Sequence, residues 1–190
     1  MVINYRGQSC FDVQNGELSL LTDPLNNRLK ADIILKTRTG ASEKELQSIA
    51  ENEFPFPGEY EIKGIHFRGF PASLPNKKDK ETKSVFVVEW DDFRLAFLGQ
   101  ISTAPSPDAL EELSDADILF LPIGTDFLSP EEAIKIVKQI EPKIIIPEIS
   151  KGGEKFLKLI DKKPAAQNKL VIKKKDIEKM KNEIIVLKAI

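Results

Sequence analysis

The chain has 190 residues, 41% of them hydrophobic and 31% charged, with a formal net charge of −2 at pH 7. Eleven Phe and many Ile and Leu supply the volume for a layered core, and the balanced charge gives no global pull toward nucleic acid or anionic membrane. A single His and a single Cys cannot form a standard zinc site, which draws on several Cys and His ligands, and a lone Cys excludes an intramolecular disulfide framework.

The first third reads as strands. "MVINYRG" and "SCFDVQNG" alternate in part, and Asn15-Gly16 is a two-residue hairpin turn before "ELSLLTDP". "NNRLK" turns the chain into the apolar strand "ADIILKT". "SEKELQSIAE", Ser42 to Glu51, carries a capping box of Ser42 and Glu45 with Leu46 and Ile49 as an apolar stripe. "FPFPGEYEIKGIHFRGFPA" holds Pro and Gly breakers, then a long strand or hairpin. Asn76 to Lys83, "NKKDKETK", predicts an exposed loop, and "SVFVVEW" and "FRLAFLG" flank a turn at Asp91-Asp92.

From there strands and helices alternate. "SPDALEEL" is a short helix capped by Ser106, with Pro107 at its first position. "DILFLPIG" is a strand buried on both faces. "SPEEAIKIVKQI" is the clearest helix, with Ser129 and Glu132 as its box and Ile134, Val137 and Ile140 as its buried stripe. "KIIIP" is a strand, "GGEKFLKLI" a helix, and "KLVIK" and "NEIIVLKA" two last strands. A β-rich meander followed by βαβαβ fits two sheets packed face to face with helices outside. The expectation is a single domain over 1–190. No run of about 18 apolar residues occurs and "MVINYRGQ" lacks the features of a signal peptide, so a cytoplasmic location is expected.

Several motifs, taken in order, resemble the metallo-β-lactamase superfamily, and within it a small Zn-dependent hydrolase, lactonase-like branch. "YRGQSCF" is similar to the branch's opening Gly-His-Ser/Ala-Cys-Phe, and "LLTDP" to its Thr-Asp-Pro. "ADIILKTRTGAS" sits where the family has a strand and Ser-His-x-His-x-Asp-His. "FPGEYEIKGIHFRG", "FRLAFLGQIS", "DADILFLPIG" and "SPEEAIKIVKQIEPKIIIPEIS" resemble its later motifs, so the likeness runs from Ile3 to about Ser150. The resemblance implies an αββα four-layer sandwich of two mixed sheets with outer helices.

In active relatives, the resemblance implies, five His and two Asp hold two metals around a bridging hydroxide that attacks a phosphoester, lactone or amide. Carried over position by position, those ligands fall on Thr37, Thr39, Ala41, Ser42, Leu74, Gln100 and Ile149, and a non-ligand His falls on Gln8. Ala, Leu and Ile have no donor atom, and Thr, Ser and Gln offer only neutral oxygens, which do not offset the dehydration of a dication. The expectation is therefore a catalytically inactive homologue with no metal and no cofactor, serving a binding or assembly role. Its expected partners are a second copy, an active homologue, or a small anionic ligand near Gln8, Arg38 and Glu148, with no nucleic acid and no membrane. Glu148 is expected to pair with Arg38 across the old cavity. One alternative is a divergent hydrolase with Asp12, Asp23, Glu59 and Glu148 around one Mg²⁺.

Other chemistry-bearing residues have plain structural readings. His66 is expected on a strand face and Cys10 as a buried thiol. The Gly-Gly of "KGGEKFLK" lacks phosphate-loop spacing and reads as a helix start. Lys77, Lys78, Lys80, Lys83 and Lys173 to Lys175 are interleaved with Asp79, Glu81, Asp176 and Glu178 and predict a solvated face rather than an RNA surface.

Overall fold

Gly16 and Glu17 turn one strand back on the next while Asn15 still pairs with Leu18, one residue later than the expected Asn15-Gly16 turn. The left-handed φ of +61° at Gly16 is one that glycine adopts without strain. The computed structural model describes residues 1–40, 42–72 and 81–190. The first strands are β1 (Val2–Tyr5), β2 (Phe11–Asn15), β3 (Leu18–Thr22) and β4 (Ile33–Leu35). Then come β5 (Arg38–Gly40), α1 (Glu43–Gln47) and β6 (Glu53–Phe54). The hairpins follow as β7 (Gly58–Ile62), β8 (Ile65–Pro71), β9 (Glu81–Trp90) and β10 (Phe93–Phe97). The alternating part is α2 (Pro107–Glu112), β11 (Ile118–Ile123), α3 (Pro130–Ile140), β12 (Ile144–Ile149) and α4 (Lys155–Leu159). The chain closes with β13 (Lys169–Val171), α5 (Lys174–Ile177) and β14 (Glu183–Ile184).

Two mixed sheets result. One has the order β13-β1-β2-β3-β4-β6, and the other runs β14-β12-β11-β10-β9-β8-β7 with β5 pairing to β9. β1 lies between β2 and β13, antiparallel to both, with Val2 opposite Val171. β10, β11 and β12 are parallel neighbours. β11 is buried along its full length, as a strand covered on both faces must be.

The pleat of β9 distributes its side chains to two cores. Phe86, Val88 and Trp90 join Ile3, Val13, Leu20, Ile33, Phe97 and Phe120 between the sheets. Val85 and Val87 join Ala96, Leu119, Leu121 and the helix residues Ala109, Ala133, Ile136 and Phe156 on the other side. α2, α3 and α4 thus cover the outer face of the second sheet. On the outer side of the first sheet a small cluster of Cys10, Leu21 and Ile34 is packed by Leu29 and Ala31.

The helix signals are realised with two shifts. Ser106 accepts from the Ala109 N–H at 3.3 Å, and Ser129 and Glu132 form the reciprocal box of α3. The buried stripe of α3 is Ala133, Ile136 and Ile140, while Ile134 and Val137 are only partly buried beside α4. α1 ends at Gln47 rather than Glu51, and Leu46 is 42% exposed, so its stripe does not bury. The Ser42 carbonyl accepts from the Leu46 N–H at 3.0 Å, and the Glu45 side chain lies outside the described residues.

β9 begins at Glu81, so Glu81 to Lys83 belong to a strand, not to the expected loop. Their partner is β5, with Arg38 opposite Lys83. Asn76 to Lys80, with Lys77 and Lys78, lie outside the described residues. No helix among the described residues is long and apolar enough to cross a membrane.

Candidate functional site

The site is built where β3 and β4 end, beside the turn after β10. Thr22 ends β3 and Asp23 and Pro24 follow it, while Thr37 follows β4, one residue before β5. Thr37 is fully buried. Its N–H and its hydroxyl both donate to Asp23, to Oδ1 at 2.8 Å and to Oδ2 at 2.5 Å. The Thr37 oxygen in turn accepts from the Gln100 N–H at 3.2 Å, and the Thr37 carbonyl accepts from the Ser84 N–H at 2.8 Å. Gly99 is pressed against this node. A Cβ there would lie 2.1 Å from the Thr37 side chain, and φ is +60°, so only glycine fits.

Burial pushes the Asp23 carboxyl up to about 7, against the lowering effect of the Thr37 bonds. Glu148 adds a further upward push through its charge. Asp23 also holds a left-handed φ of +38°, a conformation costly for a non-glycine residue and kept here by its bonds.

A second node lies next to the first. The turn Gly7-Gln8-Ser9 has positive φ throughout and aims Ser9 at β12. The Ser9 N–H and hydroxyl donate to the two oxygens of Glu148 at 3.0 and 2.6 Å. Burial, then the nearby Glu148 charge, pushes the Tyr5 phenol well above the usual range. Thr22 bridges inward, accepting from the Phe11 N–H and donating to the Ser9 carbonyl. Below lies an aromatic floor in which Phe97 stacks on Phe120 at 4.2 Å and Phe11 tilts against Phe120 at 4.7 Å.

Above Asp23 opens a cleft of about 420 Å³, lined by Gln8, Asp23, Pro24, Leu25, Lys36, Arg38, Thr39, Gly40, Ser48, Ile49, Glu81 and Gln100. Gln8, Arg38, Thr39 and Gln100 of the expected set therefore meet here, with Thr37 in the layer beneath. Ser42 starts α1. Ile149 ends β12 opposite Ile123 and is not part of the lining. Ala41 and Leu74 lie outside the described residues.

The expected pairing of Arg38 with Glu148 does not form. Arg38 is exposed and reaches Glu81 at 2.7 Å, with a longer contact to Gln100 Oε1 at 3.4 Å. Glu148 is buried and engaged by Ser9. Arg38 is the first residue of β5, whose pairing with β9 brings Glu81 alongside, a contact invisible from the motif alone. Lys36, which sequence reasoning passed over, also lines the cleft and pairs with Glu53 at 2.6 Å.

The four carboxylates of the Mg²⁺ alternative are also dispersed. Asp12 pairs with Arg6 at 2.6 Å, Glu59 is exposed on β7 opposite Arg68, and Asp23 and Glu148 are held by Thr37 and Ser9. Among the described residues no group of three or more His, Cys, Asp and Glu is placed to hold a metal ion. The donors at the carried-over ligand positions do not fit the two-metal group either. Those described are hydroxyls, an amide and an aliphatic chain, and both oxygens of the adjacent Asp23 are already accepting hydrogen bonds.

Cys10 is fully buried, and burial pushes its thiol up to about 11. His66 is exposed on β8, with Nδ1 3.7 Å from Glu61. Gly152 and Gly153 precede α4, which has no side-chain cap. Lys173 and Lys175 are solvated, but Lys174 turns inward to Asp117 at 2.6 Å, because that buried carboxylate attracts it.

Two mixed sheets packed face to face, with the site at one end of both, are the architecture of metallo-β-lactamase-like hydrolases. Residues 2–148 match the family described as the beta-lactamase superfamily domain, and the chain belongs to that family. It is similar to a UPF0173 metal-dependent hydrolase of Methanopyrus kandleri, at 27% identity over 77% of this chain and 83% of the relative. Among solved structures it resembles a Thermotoga maritima protein assigned to the Zn-dependent hydrolases of the superfamily. The TM-score is 0.74 at 22% identity, covering 98% of this chain and 97% of that one. The metallo hydrolase Igni18 of Ignicoccus hospitalis gives a TM-score of 0.65 at 17% identity, covering 90% and 99%. At these identities the two structures speak for the fold alone.

Proposed function

We propose that this chain is a metallo-β-lactamase-fold protein whose metal-binding residues have been replaced, a catalytically inactive homologue with a binding or assembly role. The observation that carries the reading is the Asp23–Thr37 pair. Thr37 stands where the resemblance puts the first histidine, and its N–H and hydroxyl engage both oxygens of the Asp23 carboxylate. A metal would need that carboxylate released from Thr37, and the carried-over ligand positions described beside it offer only neutral oxygens. Vestigial ligand positions on this reading are Thr37, Thr39, Ala41, Ser42, Leu74, Gln100 and Ile149.

Plasma-emission metal analysis of the natively purified chain tests this. Well under one equivalent of Zn, Mn or Fe is expected, and about one equivalent or more sinks the reading. A screen of phosphodiester and lactone substrates with added metals is expected to stay at background.

A second reading is favoured by the cleft itself. Arg38 and Lys36 on its wall, with a polar lining, suit a small anionic ligand, whether the protein acts alone or beside a second copy or an active homologue.

A further inference from the structure

The Arg38 guanidinium is the one arginine on the cleft wall, and it holds a carboxylate already. Glu81 sits on Nη2 at 2.7 Å, and Gln100 reaches Nη1 only at 3.4 Å. Both partners of this ion pair are close to half exposed, with side chains 48% and 40% accessible, so the pair is weakly held. A guanidinium presents parallel donors that match the two oxygens of a carboxylate or phosphate. Glu81 uses only part of that fork.

A second, independent observation lies next to it. Thr39 is 8% exposed and lines the cleft, and its hydroxyl has no hydrogen-bond partner among the described residues. A buried hydroxyl without a partner is costly, and it marks the strand under the cleft as locally unsatisfied. Lys36, paired with Glu53, also reaches the lining, and Pro24, Leu25 and Ile49 supply a short apolar wall. A volume of about 420 Å³ lies in the range of small-molecule sites.

We propose that the cleft binds a small oxyanion, a carboxylate or phosphate on a short organic body, seated on the Arg38 fork, with Glu81 as the internal occupant that the ligand displaces. This rests on the metal-free reading, because Arg38 and not a metal receives the anion. Glu81 keeps the fork neutralised when no ligand is present.

The test is an NMR titration of the full chain, ¹⁵N-labelled and treated with EDTA, with inorganic phosphate and separately with succinate. Saturable shifts confined to the amides of Arg38, Thr39, Glu81 and Gln100 are expected with at least one probe. Phosphate alone points to a phosphorylated ligand and succinate alone to a carboxylate, and either supports the site. Arg38→Gln is expected to weaken binding at least about tenfold, and Glu81→Gln to tighten it by up to about fivefold. Absence of saturable shifts with both probes, or an affinity that neither variant moves, would overturn the proposal. Metal analysis of untreated protein separates the two readings. Bound metal with Arg38-dependent anion binding after its removal overturns the metal-free reading alone, and no metal with no anion binding overturns the cleft alone.

Discussion

Thr37 gives both of its donors to one neighbour: its N–H and its hydroxyl reach the two oxygens of Asp23 at 2.8 and 2.5 Å. This pair links the end of β4 to the turn after β3, and Gly99 packs against it from the second sheet. The strength of the pair is therefore felt in the stability of the whole site. Thr37→Val keeps the shape and the N–H bond but removes the hydroxyl. Unfolding in urea is expected to show a loss of roughly 1–3 kcal/mol, the cost of leaving a buried carboxyl short of one donor. An unfolding free energy within about 0.3 kcal/mol of the parent would show that the hydroxyl bond contributes nothing.

Asp23 makes stability depend on pH in an unusual direction. Its carboxyl, near 3.8 when unfolded, is raised to about 7 in the fold. Between these values the folded state keeps a proton that the unfolded chain has lost. The contribution is full below about pH 4 and is lost as pH rises through about 7, a swing on the order of 4 kcal/mol at most. Chemical denaturation from pH 4.5 to 8 is expected to show stability falling with pH. Asp23→Asn, which cannot ionise, is expected to flatten that slope, and an unchanged slope would refute the assignment.

These two predictions mark how far the sequence could be read. The Thr-Asp-Pro turn and the strand before Thr37 were legible from turn chemistry and apolar runs, and the box of α3 from Ser129 and Glu132. What was not legible was which side chains would meet. β5 is Arg-Thr-Gly, with no strand periodicity, and becomes a strand only because β9 supplies a partner more than 40 residues away. That pairing gave Arg38 to Glu81 rather than Glu148. Glu148 went to Ser9 because the left-handed turn at Gln8 and Ser9 aims two donors at it, and such turns are hard to infer without glycine at every position.

Asp117 carries the opposite pH sign to Asp23. Burial would raise its carboxyl, but Lys143 at 2.7 Å, Lys174 at 2.6 Å and the Arg94 N–H at 2.8 Å outweigh that and hold it below the usual range. Its contribution is present above the unfolded carboxylate range and is lost as pH falls through its folded value. Asp117→Asn is expected to cost roughly 2–3 kcal/mol at pH 7, less than a fully buried pair because both lysines reach water. Thermal melts at pH 7 and pH 3 would check it: the gap between variant and parent should shrink at pH 3, and a constant gap would argue for lost packing instead.

Thr39 offers a test in the other direction. Its buried hydroxyl lacks a partner among the described residues, and valine has the same shape with a methyl in its place. Thr39→Val is expected to raise stability by about 1 kcal/mol and to suit a strand equally well. A destabilised variant would mean that the hydroxyl finds a bond in the folded protein.

The place of β1 between β2 and β13 has a consequence for how the protein is made. On the ribosome, β1 and β2 emerge before the other strands of this fold and can pair at once. The other edge of β1 stays open until residues 169–171 appear, some 160 residues later. Through most of synthesis the nascent chain therefore carries an unsatisfied strand edge beside an apolar sheet face, the situation in which chains stick to one another. A polypeptide stopped at Glu148, where the family match ends, would keep that edge open permanently. Residues 149–190, none of which lines the cleft, cover that edge of β1 with the three residues of β13.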